Sequence, residues 1–550
     1  MKNKELLMHD NKHQSQAPAL NIHAALILAL PLAAFLLRLG GAPLFDVDEG
    51  AFSEATREMF ERGDFLSTWL NGVPRFDKPI LIYWLQAASY WCFGGILGVE
   101  WAFRLPSALA AMAWCYAVWH FARPRFGPNT ALAALAVAAS SIGPFAIGRA
   151  ATADALLNLL LALSLFDAWR YLESVRGDRG QRAPLLRCYA WIGLGVLTKG
   201  PIALLVPGVV TLLYCANRKD WRAWLRALTN PYGWLILALI AVPWYATILA
   251  IHGRDFIDGF IFKHNVRRFT GTLEGHAGSI FYYILAVPIL LLPWTGPLFA
   301  SLRKARDDSA KHDGQHAGSG LRRYLWLWAG FVIIFFSLSG TKLPHYALYG
   351  ATPLFLLIAA HRDELRKSFV HLAPPTALLA LTIGLPMLCA VLSASKLGMT
   401  YPYYSALLAE ASLRAGTSYY AVCGGALLIW LLILFAAREK TTLWDRLLFA
   451  ACLQTAALAL AVMPWIGAVQ QGPVKEAALF ARSRPEPAVL WELRTPSVSV
   501  YRNAVTPSRA PEAGEIAITR LDRLPEQGFE TLFQRAGVVV VRRMTEEESE

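Results

Sequence analysis

Residues 80–95 read ILIYWLQAASYWCFGG, a run without a charge. A bilayer-crossing helix needs about 20 apolar residues. This run is short of that, yet apolar enough to enter. Whether it crosses decides the topology, because one extra span flips every later loop. Orientation follows Lys and Arg in short loops. Basic residues gather at the N-terminus (Lys2, Lys4, Lys12), at Arg123–Arg125, and at 170–187, 218–226, 303–323, 362–367 and 438–446. If all these loops are cytoplasmic, consecutive ones enclose pairs of spans. Spans are then predicted near 21–39, 101–122, 127–147, 152–171, 186–198, 200–216, 231–251, 280–300, 323–340, 344–360, 371–392, 417–437 and 446–467. The N-terminus is inside, the C-terminus outside, and 80–95 is held at the outer face. The following stretch, 96–103, has no Lys or Arg, as an outer loop should.

Composition agrees with about thirteen membrane helices. The chain has 550 residues, 55% hydrophobic and 17% charged, which is wrong for a soluble protein and right for a multi-pass one. The net charge of +13 fits positive-inside loops rather than nucleic-acid binding. The seven cysteines (Cys92, Cys115, Cys188, Cys215, Cys389, Cys423, Cys452) lie in apolar segments and predict no disulfide framework. After residue 467 the chain turns polar. AVLWEL, VSVYR, EIAITRL and GVVVVRR read as strands and 473–482 as a helix. This predicts a transmembrane domain over 1–467 and a small α/β domain over 468–550 on the outer face. His312 and His316 fall in a flexible cytoplasmic loop.

In this topology the outer loops are 40–100, 252–279 and 393–416, with short outer turns between other spans. They collect polar residues that solubility does not require. LFDVDEGAFSEA (44–55) holds Asp46, Asp48 and Glu49. RFDKPILIYW (75–84) holds Arg75, Asp77 and Lys78. GRAATADALL (148–157) holds Arg149 and Asp154. TKGP brings Lys199, and 263–283 brings His264, Arg267, Arg268 and His276. SGTKLPHYALY (339–349) brings Lys342, His345 and Tyr346. Each has a plainer reading: Asp48 or Ser53 as a cap for a helix to about Arg62, Asp154 as a first-turn acid, a lysine as a snorkelling side chain. Together, cations around carboxylates suit phosphate. No GxxxxGK[ST] cradle occurs, so the phosphate is expected on a membrane lipid. The carboxylates then serve as a metal site, a base, or a partner for a positive group on the substrate. Asp77, His264 and His276 are the metal candidates, though their spacing matches no closed zinc pattern.

DEGAFSEATREM, FDKPILIYWL, TKGPIALLVP, HNVRRFTG with GHAGSIFYY, and TKLPHYALY occur in this order from about residue 40 to 350. Together they resemble the motif set of the GT-C class of lipid-carrier-dependent glycosyltransferases, relatives of protein O-mannosyltransferases. Within that class the set is most similar to the bacterial enzymes that move 4-amino-4-deoxy-L-arabinose onto lipid A. The resemblance implies a monomeric inner-membrane enzyme with a periplasmic site. Its donor would be an undecaprenyl phosphate-linked sugar and its acceptor a lipid A phosphate, with polymyxin resistance the outcome. A divalent metal is the only cofactor considered. The family's first-loop acid matches Asp48, with Glu49 beside it, its DKP lysine Lys78, and its second acid Asp154. These three acids are the catalytic candidates. An acceptor phosphate is already ionised and needs no base. Asp48 is then expected to orient the sugar, bind its 4-ammonium group, or hold the metal. Lys78, Arg75, Lys199, Arg267, Arg268 and Lys342 would clamp the two anions, with His345 or Tyr346 adding a hydrogen bond. Another polyprenyl-phosphate-sugar transferase is the first rival. A transporter is the second, but transporters place ionisable groups near the midplane on broken helices.

Overall fold

The computed structural model describes residues 22–176, 182–271, 278–310, 319–365, 369–395, 400–436, 441–525 and 527–544. Among these, six helices are long and apolar enough to cross a membrane: Asp154–Val175, Pro231–Arg267, Ser319–Leu338, Phe369–Ser393, Thr417–Ala436 and Leu443–Gln470. Pro128–Ser140 and Ile142–Gly148, bent by 62°, make a seventh if taken as one span. The multi-pass helical architecture therefore holds, while the count of thirteen is not reached. Several expected spans are shorter or broken. Ile22–Leu36 has 15 residues and Ile202–Asn217 has 16. The run 280–300 divides into Tyr282–Leu290 and Thr295–Ala310 around Pro293, where the missing N–H interrupts the ladder. The run 344–360 opens as a 3-10 turn, Pro344–Gly350, before the helix Ala351–Ala360.

The run at 80–95 forms the helix Leu81–Leu97, which is not among the six. Its buried face carries two polar side chains, Gln86 and Ser89, among Ile82, Tyr83 and Ala87. Gln86 is fully buried, accepts from the Thr56 hydroxyl at 3.0 Å and donates to the Ala151 carbonyl at 3.2 Å. Trp91 and Ile96 are each 79% exposed, so its far end offers apolar surface outward. Gly98, at φ 86°, then reverses the chain into Val99–Phe126, a turn that a side chain would strain.

Small residues set the packing at the centre. Pro128–Ser140 is alanine-rich and almost wholly buried, packing against Val99–Phe126 and Ala351–Ala360. Such helices approach closely and gain van der Waals contact without help from lipid. A Cβ at Gly148 would lie 2.6 Å from Phe35 and Ala111, which fixes this bent helix against Ile22–Leu36.

The C-terminal residues form a four-stranded sheet in the order Ala488–Leu490, Ile516–Arg520, Val538–Arg543, Phe529–Arg535. The first pair is parallel and the others antiparallel. The expected helix is Gly472–Arg482, whose Val474, Ala477 and Ala481 pack with Ile516 and Val538. Two expectations change. VSVYR is not a strand: Ser497–Arg502 is a short helix, entered through Pro496 and closed by Asn503 in the left-handed region. Residues 529–535, absent from the expected strands, form an edge strand with a bulge between Thr531 and Phe533. Its mostly exposed face gives no buried alternation to read.

Candidate active site

The acidic loop leads into the helix Asp48–Arg62, which ends at Gly63 with φ 66°. Asp48 and Glu49 both lie in the first turn, where the helix dipole favours negative charge. No side chain caps this helix, so the cap reading of Asp48 and Ser53 is corrected. The two adjacent acids face opposite fates. Glu49 is 3% exposed and meets Arg104 bidentately at 2.9 and 2.7 Å. It also accepts from the Phe45 and Ala151 backbone N–H groups. Arg104 donates further to the carbonyls of Leu39, Ala42 and Pro43. Glu49 therefore holds the loop to the helix Val99–Phe126, and its carboxylate is fully committed. Asp48 is exposed and makes no ion pair with a described residue.

Asp46 anchors the same loop from the other side. It accepts from the Ser497 backbone N–H at 3.0 Å and from the Ser497 hydroxyl, and the Leu44 N–H donates to Tyr501 at 2.7 Å. The loop is thus clamped to the C-terminal residues. Burial pushes the Asp46 carboxyl up to about 7; the Ser497 hydrogen bonds oppose this and the Glu49 charge adds to it. A carboxyl raised in the fold stabilises it fully below its ordinary value of 3.8, and that contribution is lost as pH rises through about 7. The melting midpoint of Asp46→Asn relative to wild type is expected to rise between pH 5 and pH 8. A pH-independent difference would contradict this.

Asp154 opens the helix Asp154–Arg176 and is 7% exposed. Lys199, the last residue of Arg182–Lys199, reaches its Oδ1 at 2.5 Å. The Tyr349 hydroxyl donates to the same oxygen at 3.0 Å, and His345 Nε2 lies 3.7 Å away. The Lys199 ammonium also sits over the Tyr346 and Tyr349 rings at 5.6 and 5.5 Å, a cation–π arrangement. Asp48 and Lys78 are near enough to His345 to act on its charge.

Asp77 lies between Arg75 at 3.2 Å and His264 Nε2 at 2.7 Å. Burial alone would raise its pKa, but the His264 hydrogen bond and the Arg75 and Lys78 charges hold it well below the usual carboxylate range. Lys78 donates to the Asp77 carbonyl at 3.0 Å. Among the described residues no three His, Cys, Asp or Glu side chains converge for a metal. Asp77 and His264 face each other, and the second Asp77 oxygen faces a guanidinium. This donor set fits an ion-paired carboxylate better than a metal ligand. His276 lies outside the described residues.

Two cavities meet here. One, of about 380 Å³, is lined by Asp46, Asp48, Asp154, His345 and the arginines 38, 104 and 149. The other, of about 750 Å³, is mainly apolar (Leu204, Leu212, Phe260, Phe335) with Asp77, Lys78, Lys199, His264 and Tyr346 among its lining. Asp154 lines the first and its partner Lys199 the second, so this ion pair forms part of the wall between them.

Some expected residues stand elsewhere. The Lys342 ammonium donates to the carbonyls of Phe336, Ser337 and Ser339. Three donors are all that a lysine has, so Lys342 caps the helix Ser319–Leu338 and leaves the clamp. Arg267 is exposed and lines neither cavity. The Arg268 side chain lies outside the described residues. Arg149 donates to the carbonyls of Ala34, Leu37 and Arg38, closing the end of Ile22–Leu36. Sequence reasoning missed Arg104, Tyr349 and Ser497. An arginine just inside the apolar part of Val99–Phe126 was a usable signal for Arg104; Ser497 carried none.

A family model described as dolichyl-phosphate-mannose-protein mannosyltransferase matches residues 77–248. An undecaprenyl phosphate-alpha-4-amino-4-deoxy-L-arabinose arabinosyl transferase of Edwardsiella ictaluri is 28% identical, over 65% of this chain and 62% of its own length. One from Sodalis glossinidius is 31% identical, over 60% and 57%. The matched region thus spans about three fifths of these relatives. The crystal structure of ArnT from Cupriavidus metallidurans bound to undecaprenyl phosphate superposes with a TM-score of 0.75 at 21% identity, covering 94% of this chain and 97% of that one. This shows the fold. In its motifs, in the family model that it matches and in its fold, the chain is similar to the lipid-carrier-dependent glycosyltransferases.

Proposed function

We propose that the chain is an integral membrane glycosyltransferase that moves 4-amino-4-deoxy-L-arabinose from undecaprenyl phosphate to a lipid A phosphate. One observation carries this reading: an apolar cavity with cations among its lining abuts a second cavity whose lining includes the carboxylates of Asp46, Asp48, Glu49 and Asp154 and three arginines, with Asp154–Lys199 between them. The polyprenyl chain fills the apolar cavity. Lys78 and Lys199 meet its phosphate, with Arg75 behind Asp77. The bond from the anomeric carbon to the carrier phosphate oxygen breaks, and an acceptor phosphate oxygen forms the new bond. Undecaprenyl phosphate leaves, and no net proton is transferred. Asp48, which makes no ion pair among the described residues, binds the 4-ammonium group, and Asp154 holds Lys199 against the leaving phosphate. Electrostatic preorganisation of this kind needs no base.

Residues 1–467 form the transmembrane catalytic domain, with loops 40–100, 252–279 and 393–416 on the periplasmic face. Residues 468–550 form a domain on the same face, in a monomer of the inner membrane. The run 80–95 lies along the outer face. A divalent metal remains a candidate only if His276 joins Asp77 and His264. Lowering the negative charge of lipid A would give resistance to polymyxin. The test is transfer by the purified full chain from the undecaprenyl phosphate-linked sugar to lipid A, read by mass spectrometry of lipid A. The expected product carries the added pentosamine; transfer to a protein hydroxyl alone would favour the mannosyltransferase-like reading suggested by the matched family model. For orientation, Arg494→Cys in a background without native cysteines is expected to label with an impermeant reagent in spheroplasts. Labelling only after lysis would invert the topology.

A further inference from the structure

The short helix Ser497–Arg502 belongs to the C-terminal unit, yet two of its buried side chains are turned onto the acidic loop. Ser497 and Tyr501 are 0% and 5% exposed. The Ser497 hydroxyl and backbone N–H both donate to the Asp46 carboxylate. This helix closes on Asp48–Arg62 at Gly50. A Cβ there would collide with Asp46 Oδ1 and lie 2.6 Å from Ser497 N, so a side chain at this position would push the two helices apart.

Four residues on, Tyr501 makes a second hold. Its hydroxyl accepts from the Leu44 N–H at 2.7 Å and donates to Glu100 Oε1 at 3.1 Å. A phenol has one proton to donate. Directing it at Glu100 turns a lone pair of the same oxygen toward Leu44. Glu100 is fixed in turn by Lys475, whose ammonium reaches the same Oε1 at 2.5 Å and sits 4.9 Å from the Tyr501 ring centre. The chain Lys475–Glu100–Tyr501–Leu44 thus ties Gly472–Arg482 and Val99–Phe126 to the acidic loop. The two links to Glu100 are charge-assisted, the stronger kind of hydrogen bond.

These holds fall at 44, 46 and 50, and Arg104 holds Glu49. Asp48 lies among them and lines the 380 Å³ cavity with Asp154. Its place is set through its neighbours. We propose that Ser497 and Tyr501 are positioning residues for transfer: the C-terminal unit acts on the reaction by holding 44–46 and the start of Asp48–Arg62, which fixes where the Asp48 carboxylate stands. This rests on the role given to Asp48 above. A shift of about 1 Å in a reacting group can cost a hundredfold in rate. A contact that only docks the unit would change stability and leave the rate of the folded enzyme alone.

The full chain in nanodiscs is compared with the double variant Ser497→Ala with Tyr501→Phe, which removes two hydroxyls and little volume. Transfer from the undecaprenyl phosphate-linked sugar to lipid A gives turnover and KM, and mass spectrometry gives amide exchange over 44–50. Turnover is expected to fall at least about tenfold with both KM values within about twofold, as when an interaction made in the transition state is lost. Exchange over 44–50 should quicken. If this variant does not accumulate, Ser497→Ala alone, which keeps the backbone donor to Asp46, is expected to show smaller changes of the same sign. In an Asp48→Asn background the two substitutions should cost no further turnover, because their effect runs through the missing carboxylate. An equal fold-loss in both backgrounds overturns the proposal, as does unchanged turnover with unchanged exchange. If wild type transfers no sugar, quicker exchange over 44–50 in the variant supports the hold on the loop and places the failure in the proposed function; unchanged exchange overturns the hold itself.

Discussion

Asp48→Asn is expected to lower the turnover number by about a thousandfold, the upper scale of losing one electrostatic contact made in the transition state. Expression and melting midpoint should stay as in wild type, because the Asp48 carboxylate is exposed and pairs with no described residue. Its neighbour gives the contrast. Glu49→Gln keeps the shape but removes the charge that faces the buried Arg104 at 2.7 Å. Breaking a buried pair costs about 3–5 kcal/mol because the other charge stays behind. That variant should fail to accumulate or should melt far earlier. Equal behaviour of the two variants would mean that the first turn of this helix is only structural. Wild-type turnover in Asp48→Asn would remove Asp48 from the site.

Lys199→Met is the second large effect. It should cost transfer at least a hundredfold and also destabilise, since Asp154 is left buried without its cation 2.5 Å away. The pair distinguishes two roles. If Lys199 only neutralises Asp154, the double variant Asp154→Asn with Lys199→Met recovers both stability and transfer. If Lys199 meets the carrier phosphate, the double variant recovers the melting midpoint and not the transfer. Residues in direct contact couple in this way, and the non-additivity is the measurement that decides. Recovery of transfer would overturn the assignment of Lys199.

The sequence made some of this legible for clear reasons. Asp48 and Lys78 lie in short motifs, where the residue and its neighbours are read together. The helix running to about Arg62 was legible, although neither Asp48 nor Ser53 caps it. The fate of the lysines was not legible. Lys199 and Lys342 sit in similar turns, TKGP and TKLP, yet one meets a carboxylate from another helix and the other meets the carbonyls at its own helix end. Which one happens depends on what the fold brings alongside, and local sequence does not contain it. The same holds for Asp46 and Ser497, joined across 451 positions. VSVYR alternates as a strand would, but Pro496 and Asn503 at its ends fix a helix. Span counting from charge pointed to helices throughout, but length and proline placement left several too short or broken to pass as single crossings.

The wall formed by Asp154 and Lys199 has a consequence for how such a protein changes over generations. The smaller cavity draws its lining from residues 38–49, from Ile142–Gly148 and from around Leu290 and Met463. The apolar cavity draws on Ile202–Asn217, on 260–270 and on the end of Ser319–Leu338. The two chambers share a partition and almost no other surface. Substitutions on one side can therefore reshape that cavity while the lining of the other stays intact. On the function proposed above, a lineage with this plan can diversify its acceptors without rebuilding its grip on the carrier.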